Sequence, residues 1–427
     1  MAEEKKKKRI AIIGGGASGM TAAIFASAAK DVEITIFEAK DVPGKKINGT
    51  GNGKCNFTND NMDLKFYRGQ HPEFASFALS NFDNETAKDY FKSMGIRPKE
   101  KNGGYIYPNS EEAASVSSAL RLSCAEKGVK FVFEKAKSIT KEKNSFKIDS
   151  QSFDKVIIAC GSFANMKDVT DFNGYGLVKS LGHKITPLYP ALCQIRCKGS
   201  FFKTINGVRT EGSVKVFADG KEKASEKGEL LFTDYGVSGI PAFQVSRFCA
   251  EAAGSSKKVV LSLNFMAGMS VDEVRTEVEN RLKKLSRKGR TNEEAMLGLL
   301  NHKLNFVLLN LSGIDPTGSN KNVTDDKIAA LVKNLTDLRV DVTGTNDFSF
   351  AQVVAGGTDT SEVDPETMGS KIVQGLYFAG ETLDIDGTCG GYNLQWAWSS
   401  GAIAGLNAAF EKIPKEPKRF IEEIINR

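Results

Sequence analysis

The chain is poor in the residues that hold metals and disulfides. It has seven cysteines and three histidines among 427 residues, without close clustering of the two types. Cys193 and Cys197 could form a redox or metal pair, but residues 192–198 alternate like a β-strand, which separates the two Cα atoms by roughly 13 Å. A disulfide cannot span that distance. We therefore predict buried apolar thiols and no metal site.

Long apolar runs are absent as well. No uninterrupted stretch of 18 apolar residues occurs, so the sequence predicts no membrane helix. The basic N-terminus, the apolar stretch after it and Ala26-Ser27-Ala28 resemble a signal peptide with its cleavage site. Three consecutive glycines are poor for a signal core, however, and cleavage would remove the glycine motif of the first strand and helix. We therefore expect a cytoplasmic protein, in a reducing compartment, that does not contact membranes.

What the chain does contain is a glycine turn between a buried strand and a helix. Apolar residues 10–13 precede Gly14-x-Gly16-x-x-Gly19, and small or apolar residues continue to position 29. The glycines supply the turn, room for a phosphate against bare backbone and close helix–strand packing. A second β-branched run ends at Glu38, nineteen residues after Gly19, the offset at which a carboxylate meets ribose hydroxyls. This pattern predicts a dinucleotide site whose contacts include Gly14, Gly16, Ala17, Ser18, Glu38 and Ala39.

A second segment lies about 360 residues further along the chain. Gly375-Leu-Tyr-Phe-Ala-Gly-Glu381 is typical of a short buried strand. It would hold the other half of a long cofactor, and the carboxylate of Glu381 would hydrogen-bond a ribityl hydroxyl. The two segments together indicate FAD. The apolar strand at 155–161 should pass under this cofactor, at Cys160 and Gly161.

Two further stretches offer contacts to such a cofactor. Residues 43–56 contain four glycines and three lysines, whose amides and cations can surround phosphates or a flavin edge. The helix that begins near Tyr392 has unpaired N-terminal amides that favour negative charge on a reduced flavin, and Asn393 and Gln395 would offer side-chain amides near the ring. The contacts predicted from residues 43–56, from the strand at 375–381 and from the segment that leads into this helix are Lys45, Lys46, Thr50, Asn52, Gly53, Lys54, Gly380, Glu381, Asp386, Gly391, Tyr392 and Asn393.

The middle of the chain has a different character. Residues 191–268 alternate like antiparallel strands. Helical patterns dominate from Ser270 to about Asp337, within a helical subdomain expected at residues 269–344. The expected fold is therefore α/β. It consists of a discontinuous Rossmann-like FAD-binding domain at residues 1–190 and 345–427, an inserted antiparallel β domain and a helical subdomain.

Three groups of motifs carry a resemblance to a known family. Residues 45–56, the pair Gly356-Gly-Thr358 and Thr367-Met-Gly-Ser-Lys371, and residues 376–381 with Gly390-Gly-Tyr-Asn-Leu-Gln-Trp396 are similar to the BaiN and aminoacetone-oxidase family of bacterial three-domain flavoproteins. The resemblance covers nearly the whole chain. It implies a split FAD domain with a β-rich and a helical insert. It also implies FAD contacts at Ala17, Glu38, Lys46, Glu381 and Leu394, with the adenine near the backbone of Ala136.

The predicted function is that of an FAD-dependent oxidoreductase whose small organic substrate binds between the FAD and insert domains. Two reactions stay open: oxidation of an amine-type substrate, and NAD(P)H-driven reduction of an enone. The chain has no second GxGxxG unit, which weakens a dedicated NAD(P)H reductase but allows NAD(P)H as a transient electron donor. No catalytic acid or base is identified, since flavin chemistry can proceed with the ring and a positioned substrate. The oligomeric state stays open.

The chain has more basic than acidic residues, and this excess suggests an alternative function. The net charge is +6, but the basic run at residues 5–9 has no interleaved aromatic residues and is typical of a solvated tail. Cations at 281–284 and 287–290 follow Glu273, Glu277 and Glu279, as on a mixed solvated face. An RNA-associated or RNA-modifying flavoprotein is the alternative, and no stable nucleic-acid complex is expected.

Overall fold

The computed structural model describes residues 7–101, 103–285, 289–414 and 416–427. The first two residues of the basic run at 5–9, and Arg287 and Lys288 of the second basic stretch, lie outside the described residues. The chain forms two compact units: the first comprises the chain up to Leu188 and from Val353 onward, and the second is Tyr189–Gln352. The predicted division of the insert near residue 268 stays a prediction.

Short strands and helices follow one another along the chain. Strands β1 to β21 are Lys8–Ile13, Val32–Phe37, Thr58–Asn59, Tyr67–Arg68, Pro98–Lys101, Tyr105–Pro108, Lys130–Val132, Ile139–Lys141, Phe146–Ile148, Gln151–Phe153, Lys155–Ile158, Tyr189–Ala191, Ile195–Cys197, Arg209–Ala218, Lys221–Thr233, Gly236–Ser238, Val259–Asn264, Leu338–Thr345, Val353–Ala355, Leu376–Phe378 and Asp386–Gly387. Helices α1 to α12 are Ala17–Ala26, Ser76–Asn81, Asn84–Ser93, Ala113–Glu126, Gly174–Ser180, Ile240–Gly254, Val271–Glu279, Asn292–Ala295, His302–Leu311, Asp325–Thr336, Tyr392–Ala409 and Pro417–Ile425.

The first unit is built on a parallel sheet of strand order β20-β11-β1-β2-β7. Strand β1 lies in the middle, and its residues Ile10, Ala11 and Ile12 are fully buried, as strands covered on both faces require. In a parallel sheet the carboxyl ends of neighbouring strands meet at one edge. The turns that follow β1, β2, β11 and β20 therefore lie side by side, and they contain most of the predicted cofactor contacts.

Helices α1 and α11 pack against each other with their backbones in contact. A Cβ atom on Gly401 would lie 2.6 Å from the carbonyl oxygen of Ser18, and one on Gly405 would lie 2.2 Å from that of Ala22. The small residues that the sequence places in both helices are needed because no side chain fits between them. This contact packs an early segment of the chain against a segment more than 360 residues later.

Small antiparallel sheets complete the first unit. Strands β5 and β3 flank β6, and strands β8, β9 and β10 form a meander. Strand β21 pairs with β4, opposite Tyr67–Arg68. That pairing fixes the loop that leads into α11.

The second unit contains a closed barrel of strand order β13-β16-β15-β14-β17-β18. In β14 the buried Val214 and Val216 alternate with Lys215, which is partly exposed, so apolar side chains fill one face. The barrel closes through β18, Leu338–Thr345, which lies within the range expected for the helical subdomain. The helices end with α10 at Thr336, close to the predicted end of the helical pattern near Asp337. None of the described helices is both long enough and apolar enough to cross a bilayer.

Candidate functional site

The three glycines of the first turn have different surroundings. Gly14 has a φ of +106°, and a Cβ there would lie 2.5 Å from the carbonyl oxygen of Ala159. A Cβ on Gly19 would lie 1.9 Å from the oxygen of Gly14, whereas one on Gly16 meets no atom within 4 Å. Gly14 and Gly19 therefore serve strand and helix packing. Gly16 leaves open space in front of helix α1, as predicted for a phosphate position.

Glu38 lies beside that open space, at the end of β2. Its Oε2 accepts a hydrogen bond of 2.8 Å from the amide of Gly15, and its Oε1 accepts one of 2.8 Å from the amide of Lys40. Both oxygens are thereby oriented next to the start of α1, which begins at Ala17 with Gly16 as N-cap and no side-chain cap. The first-turn amides of α1 thus remain available to an anion. Ala39, next in the chain, is exposed.

Glu381 is held by groups from three distant parts of the chain. Its Oε2 lies 2.6 Å from Nζ of Lys46, and its Oε1 accepts hydrogen bonds from Ser162 Oγ at 2.7 Å and from the amide of Val354 at 3.0 Å. The predicted residues Lys46 and Glu381 are therefore brought together. Sequence reasoning missed Ser162, because the loop after Gly161 carries no motif that marks it.

The turn after β20 packs directly on the start of α1. Gly380 has a φ of +71°, and a Cβ there would lie 2.5 Å from Ser18 Oγ. Ser18 Oγ donates to the carbonyl of Ala379 at 3.4 Å, and the Gly380 amide donates to Ser400 Oγ at 2.9 Å. Glu381 therefore stands close to the open space at Gly16.

Cys160 and Gly161 follow the neighbouring strand β11. The amide of Gly161 donates to Thr382 Oγ1 at 3.0 Å, and Cys160 Sγ lies 3.7 Å from the same hydroxyl. Gly161 has a φ of +68°, and a Cβ there would meet nothing within 4 Å. Burial raises the pKa of the Cys160 thiol to about 11. The thiol is thus neutral at physiological pH, beside a second open position.

The glycine-rich loop sends its lysines in different directions. Lys45 Nζ lies 3.4 Å from Asp41, in solvent, and Lys54 Nζ lies 3.0 Å from Glu111. Of the three lysines, Lys46 turns toward Glu381. The Thr50 hydroxyl donates to the carbonyl of Ile47 at 2.7 Å. Exposed residues follow, in which Asn52 and Gly53 adopt φ angles of +55° and +82°.

The start of helix α11 is tightly organised. Gly391, its N-cap, has a φ of +97°, and a Cβ there would lie 2.6 Å from the carbonyl of Thr58. Asn393 bonds the backbone of Gly387 through both its amide atoms, at 2.8 Å each. Its side chain therefore closes the preceding loop, and the first-turn backbone amides of α11 have no side-chain cap.

Two nearby side chains of α11 also make their contacts inside the protein. The Tyr392 hydroxyl donates to the carbonyl of Asn61 at 3.0 Å, and its ring stacks on Phe66. Gln395 is fully buried, and its Nε2 donates to the carbonyl of Phe82 at 2.8 Å. The expectation that the Gln395 amide lies near a flavin ring is therefore wrong, because that face of α11 packs against α2. Leu394 is half-buried against the core.

Two predicted residues lie apart from these contacts. Asp386 is buried in β21, opposite Arg68. The carbonyl of Ala136 accepts a hydrogen bond of 2.7 Å from Asn173 Nδ2. The structure thus fixes the Ala136 backbone, and its role as an adenine contact stays a prediction.

The arrangement fits FAD. Open positions at Gly16 and Gly161 lie at the carboxyl edge of the sheet, between Glu38 on one side and Glu381 on the other. Nine buried side-chain atoms of the described residues have no hydrogen-bond partner, and they include the Tyr175 hydroxyl and Asn56 Oδ1, which lies beside Gly391. Buried polar atoms are normally satisfied, and a polar ligand at the site would supply partners for these two. The candidate holders are the amides of α1 and α11 with Glu38, Lys46 and Glu381.

Known proteins resemble this chain over nearly its whole length. The family described as HI0933-like protein, Rossmann domain, matches residues 8–407. A 3-dehydro-bile acid delta(4,6)-reductase of Clostridium scindens is 39% identical over 407 residues, which cover 94% of this chain and 99% of that protein. Ribosomal RNA dihydrouridine synthases of Escherichia coli and Haemophilus influenzae are each 29% identical, over 395 and 409 residues. These matches cover 91% and 93% of this chain, and 95% and 97% of the two synthases.

Proposed function

Since the chain belongs to the HI0933-like protein family with its Rossmann domain, we propose that it reduces a carbon–carbon double bond conjugated to a carbonyl group in a small organic molecule, with NAD(P)H as the electron source. The family and the FAD-dependent oxidoreductase class predicted from the sequence are confirmed by this match and by the reductase relative. The similarity to that reductase, 39% over 94% of the chain, is the observation that carries the proposal. The direction of the reaction and its donor are the proposed part.

The names of the relatives share one chemical theme. A 3-dehydro bile acid with double bonds at positions 4 and 6 is a conjugated ketone, and the uracil base has its 5,6 double bond next to a carbonyl. Reduction of either compound would add a hydride to the carbon at the far end of the conjugated system and a proton to a carbon nearer the carbonyl group. This theme favours the enone reductase over the amine oxidase, the two reactions that the sequence leaves open.

Residues of the chain can support this chemistry in three ways. The first-turn amides of α1, beside Gly16, would bind the cofactor diphosphate. Glu381, held at both oxygens, would orient the ribityl chain, and Lys46 supplies a positive charge beside it. The amides at the start of α11 would stabilise negative charge that develops nearby. FAD, when bound, supplies the two-electron transfer itself.

Stopped-flow spectroscopy of the purified flavoprotein tests the proposal. The flavin absorbance near 450 nm is followed without oxygen after mixing with NADH, NADPH or a series of primary amines, and the reduced protein is then mixed with a conjugated cyclic ketone. We expect NADH or NADPH to bleach the flavin and the ketone to restore it within the enzyme's turnover time. Reduction by an amine, together with no reduction by either nicotinamide, would contradict the proposal and indicate an oxidase.

The two 29% relatives favour a second candidate, reduction of uridine in RNA. The same reduced protein is therefore mixed with uridine-containing RNA and, as a control, with RNA in which dihydrouridine replaces uridine. Flavin reoxidation by the first RNA alone, with none by the cyclic ketone, would favour this second candidate. The lower identity of these relatives makes the small-molecule substrate the first choice.

A further inference from the structure

A surface of the first unit gathers three lysines around a single carboxylate. Nζ of Lys54, Lys99 and Lys101 lie 3.0, 2.9 and 2.9 Å from the carboxylate oxygens of Glu111. Three cations against one anion leave a formal excess of two positive charges. Lys88 shows the opposite arrangement, because one cation there pairs with two carboxylates, Asp60 and Glu85.

The backbone holds this group in a fixed arrangement. Glu111 has a φ of +54°, a left-handed conformation that non-glycine residues adopt at a cost and that clusters at functional sites. Its amide donates to the carbonyl of Pro108 at 2.9 Å, just before helix α4. The three lysines around it hold the pKa of Glu111 well below its usual range. The carboxylate therefore stays charged and keeps the lysines together without neutralising them.

Two tyrosines share the surface with these lysines. In the pairing of β5 with β6, Lys99 stands opposite Tyr107 and Lys101 opposite Tyr105, and alternate residues of a strand share one face. Lys101 Nζ lies 4.8 Å from the centre of the Tyr107 ring. Both tyrosines are half-buried. We call Lys54, Lys99, Lys101, Tyr105 and Tyr107 the lysine–tyrosine face.

This face is connected to the start of α11. A Cβ on Gly390 would lie 3.0 Å from Cε1 of Tyr105, and Asn59 of the adjacent strand β3 donates to the carbonyl of Gly390 at 2.9 Å. Tyr107 lies two residues along β6 from Tyr105, about 7 Å away. The excess positive charge thus lies a short distance from the loop that precedes the α11 amides.

We propose that the lysine–tyrosine face binds the adenosine 2′-phosphate end of NADPH. The unbalanced lysines supply charge-assisted donors to a phosphate, and the tyrosine rings supply surfaces on which an adenine can stack. NADH has no phosphate at this position, so the face selects NADPH. The inference rests on the proposed function, in which a nicotinamide cofactor is the electron source.

Titration calorimetry of the FAD-loaded protein tests the inference without turnover. Adenosine 2′,5′-bisphosphate is compared with ADP for the wild type and for Lys99→Ala, Lys101→Ala and the double variant. We expect the bisphosphate to bind at least about tenfold more tightly than ADP, with this preference reduced about threefold by each single substitution and lost in the double variant. Lys101→Arg should retain it, because it keeps the charge. Lys92→Ala, exposed on α3 and paired with Asp89, is the matched control and should change nothing.

Three results would overturn the inference. The first is equal affinity for the two ligands, and the second is a preference that survives in the double variant. The third is that the variants no longer bind a short single-stranded RNA while their preference between the two ligands is unchanged. The last result would assign the face to RNA phosphates. Flavin reduction by NADH is measured separately. If NADH reduces the flavin but both ligands bind equally, the inference fails and the proposed function stands. If the preference is present but neither nicotinamide reduces the flavin, the site stands and the proposed function fails.

Discussion

At the scale of single residues, the glycines of the first turn show how the same residue type serves two purposes. Gly14 and Gly19 allow backbone atoms to touch, whereas Gly16 borders empty space. The sequence spacing predicts all three roles, since each follows from the geometry of a strand–turn–helix unit. Ser162 could not be predicted in this way, because its contact with Glu381 depends on how two loops meet in space.

Substitution of Gly16 and Gly19 by valine should therefore have different effects. Gly16→Val is expected to fold, because its φ of −83° suits a side chain, but to lose FAD because the side chain fills the open space proposed to hold a phosphate. Gly19→Val should fail to fold, since its Cβ would overlap the Gly14 carbonyl. Circular dichroism measures folding, and the 450 nm to 280 nm absorbance ratio measures flavin content. Full flavin content in Gly16→Val would contradict the assignment of the site.

The cysteines give a second prediction at this scale. Cys193 and Cys197 are buried free thiols, as predicted, although the strand here is only Ile195–Cys197 and Cys193 lies outside it. Burial also raises the pKa of Cys55 and of Cys124 to about 12, and only the thiolate reacts. Alkylation of these two by iodoacetamide at pH 8 should be roughly a thousandfold slower than that of a free thiol of ordinary pKa, and should accelerate about tenfold per pH unit. Mass spectrometry of the labelled peptides measures the rates; rates equal to those in the urea-unfolded protein would contradict the burial.

At the scale of elements, the contact between α1 and α11 is the feature on which the first unit depends. The small residues of both helices are visible in the sequence, but the pairing of segments so far apart is not. The start of α4 is a smaller example: Asn109 and Ser110 are residue types that commonly cap helices, but the N-cap is Glu112, which makes no side-chain cap hydrogen bond. Such boundaries depend on local hydrogen bonds that compete closely.

Two glycine-to-alanine substitutions in helices test the contact between α1 and α11. Gly405→Ala places a methyl group 2.2 Å from the Ala22 oxygen and should destabilise the protein by about 1–3 kcal/mol or more. Gly176→Ala, in α5, meets no atom within 4 Å and should stabilise it by about 0.5–1 kcal/mol. Urea unfolding measures both. Equal effects of the two substitutions would show that the helices are not in backbone contact.

At the scale of the whole molecule, the sequence predicts a nucleotide-binding domain that an insert divides into two segments. In the structure, the first unit likewise consists of two chain segments, one before and one after the second unit in sequence. The antiparallel character of the insert is visible in its alternating strands. The closure of the barrel is not, because β18 follows a helical stretch of the chain and pairs with β13 and β17 only in space. Non-local pairing of this kind leaves no short-range pattern.

Removal and return of FAD should change stability in a defined part of the molecule. A ligand present at 100 times its dissociation constant stabilises the folded state by about 2.7 kcal/mol. We expect FAD to raise the melting temperature of the stripped protein and to slow amide exchange in the turn after β1 and in residues 43–56. FMN, which lacks the adenosine part, is the control and should protect the turn less. Slower amide exchange confined to the second unit would contradict the assignment of the FAD site to the first unit.

The packing of Ser18 against Ala379, 361 positions later, has a consequence for biosynthesis. Translation proceeds at roughly 5–20 residues per second, so roughly 20–70 s pass between synthesis of the first half of the nucleotide site and synthesis of the second. During this interval β1 and α1 expose surfaces that α11 will cover. A nascent chain therefore cannot bring both halves of the site together until residues up to about 394, at the start of α11, have left the ribosome.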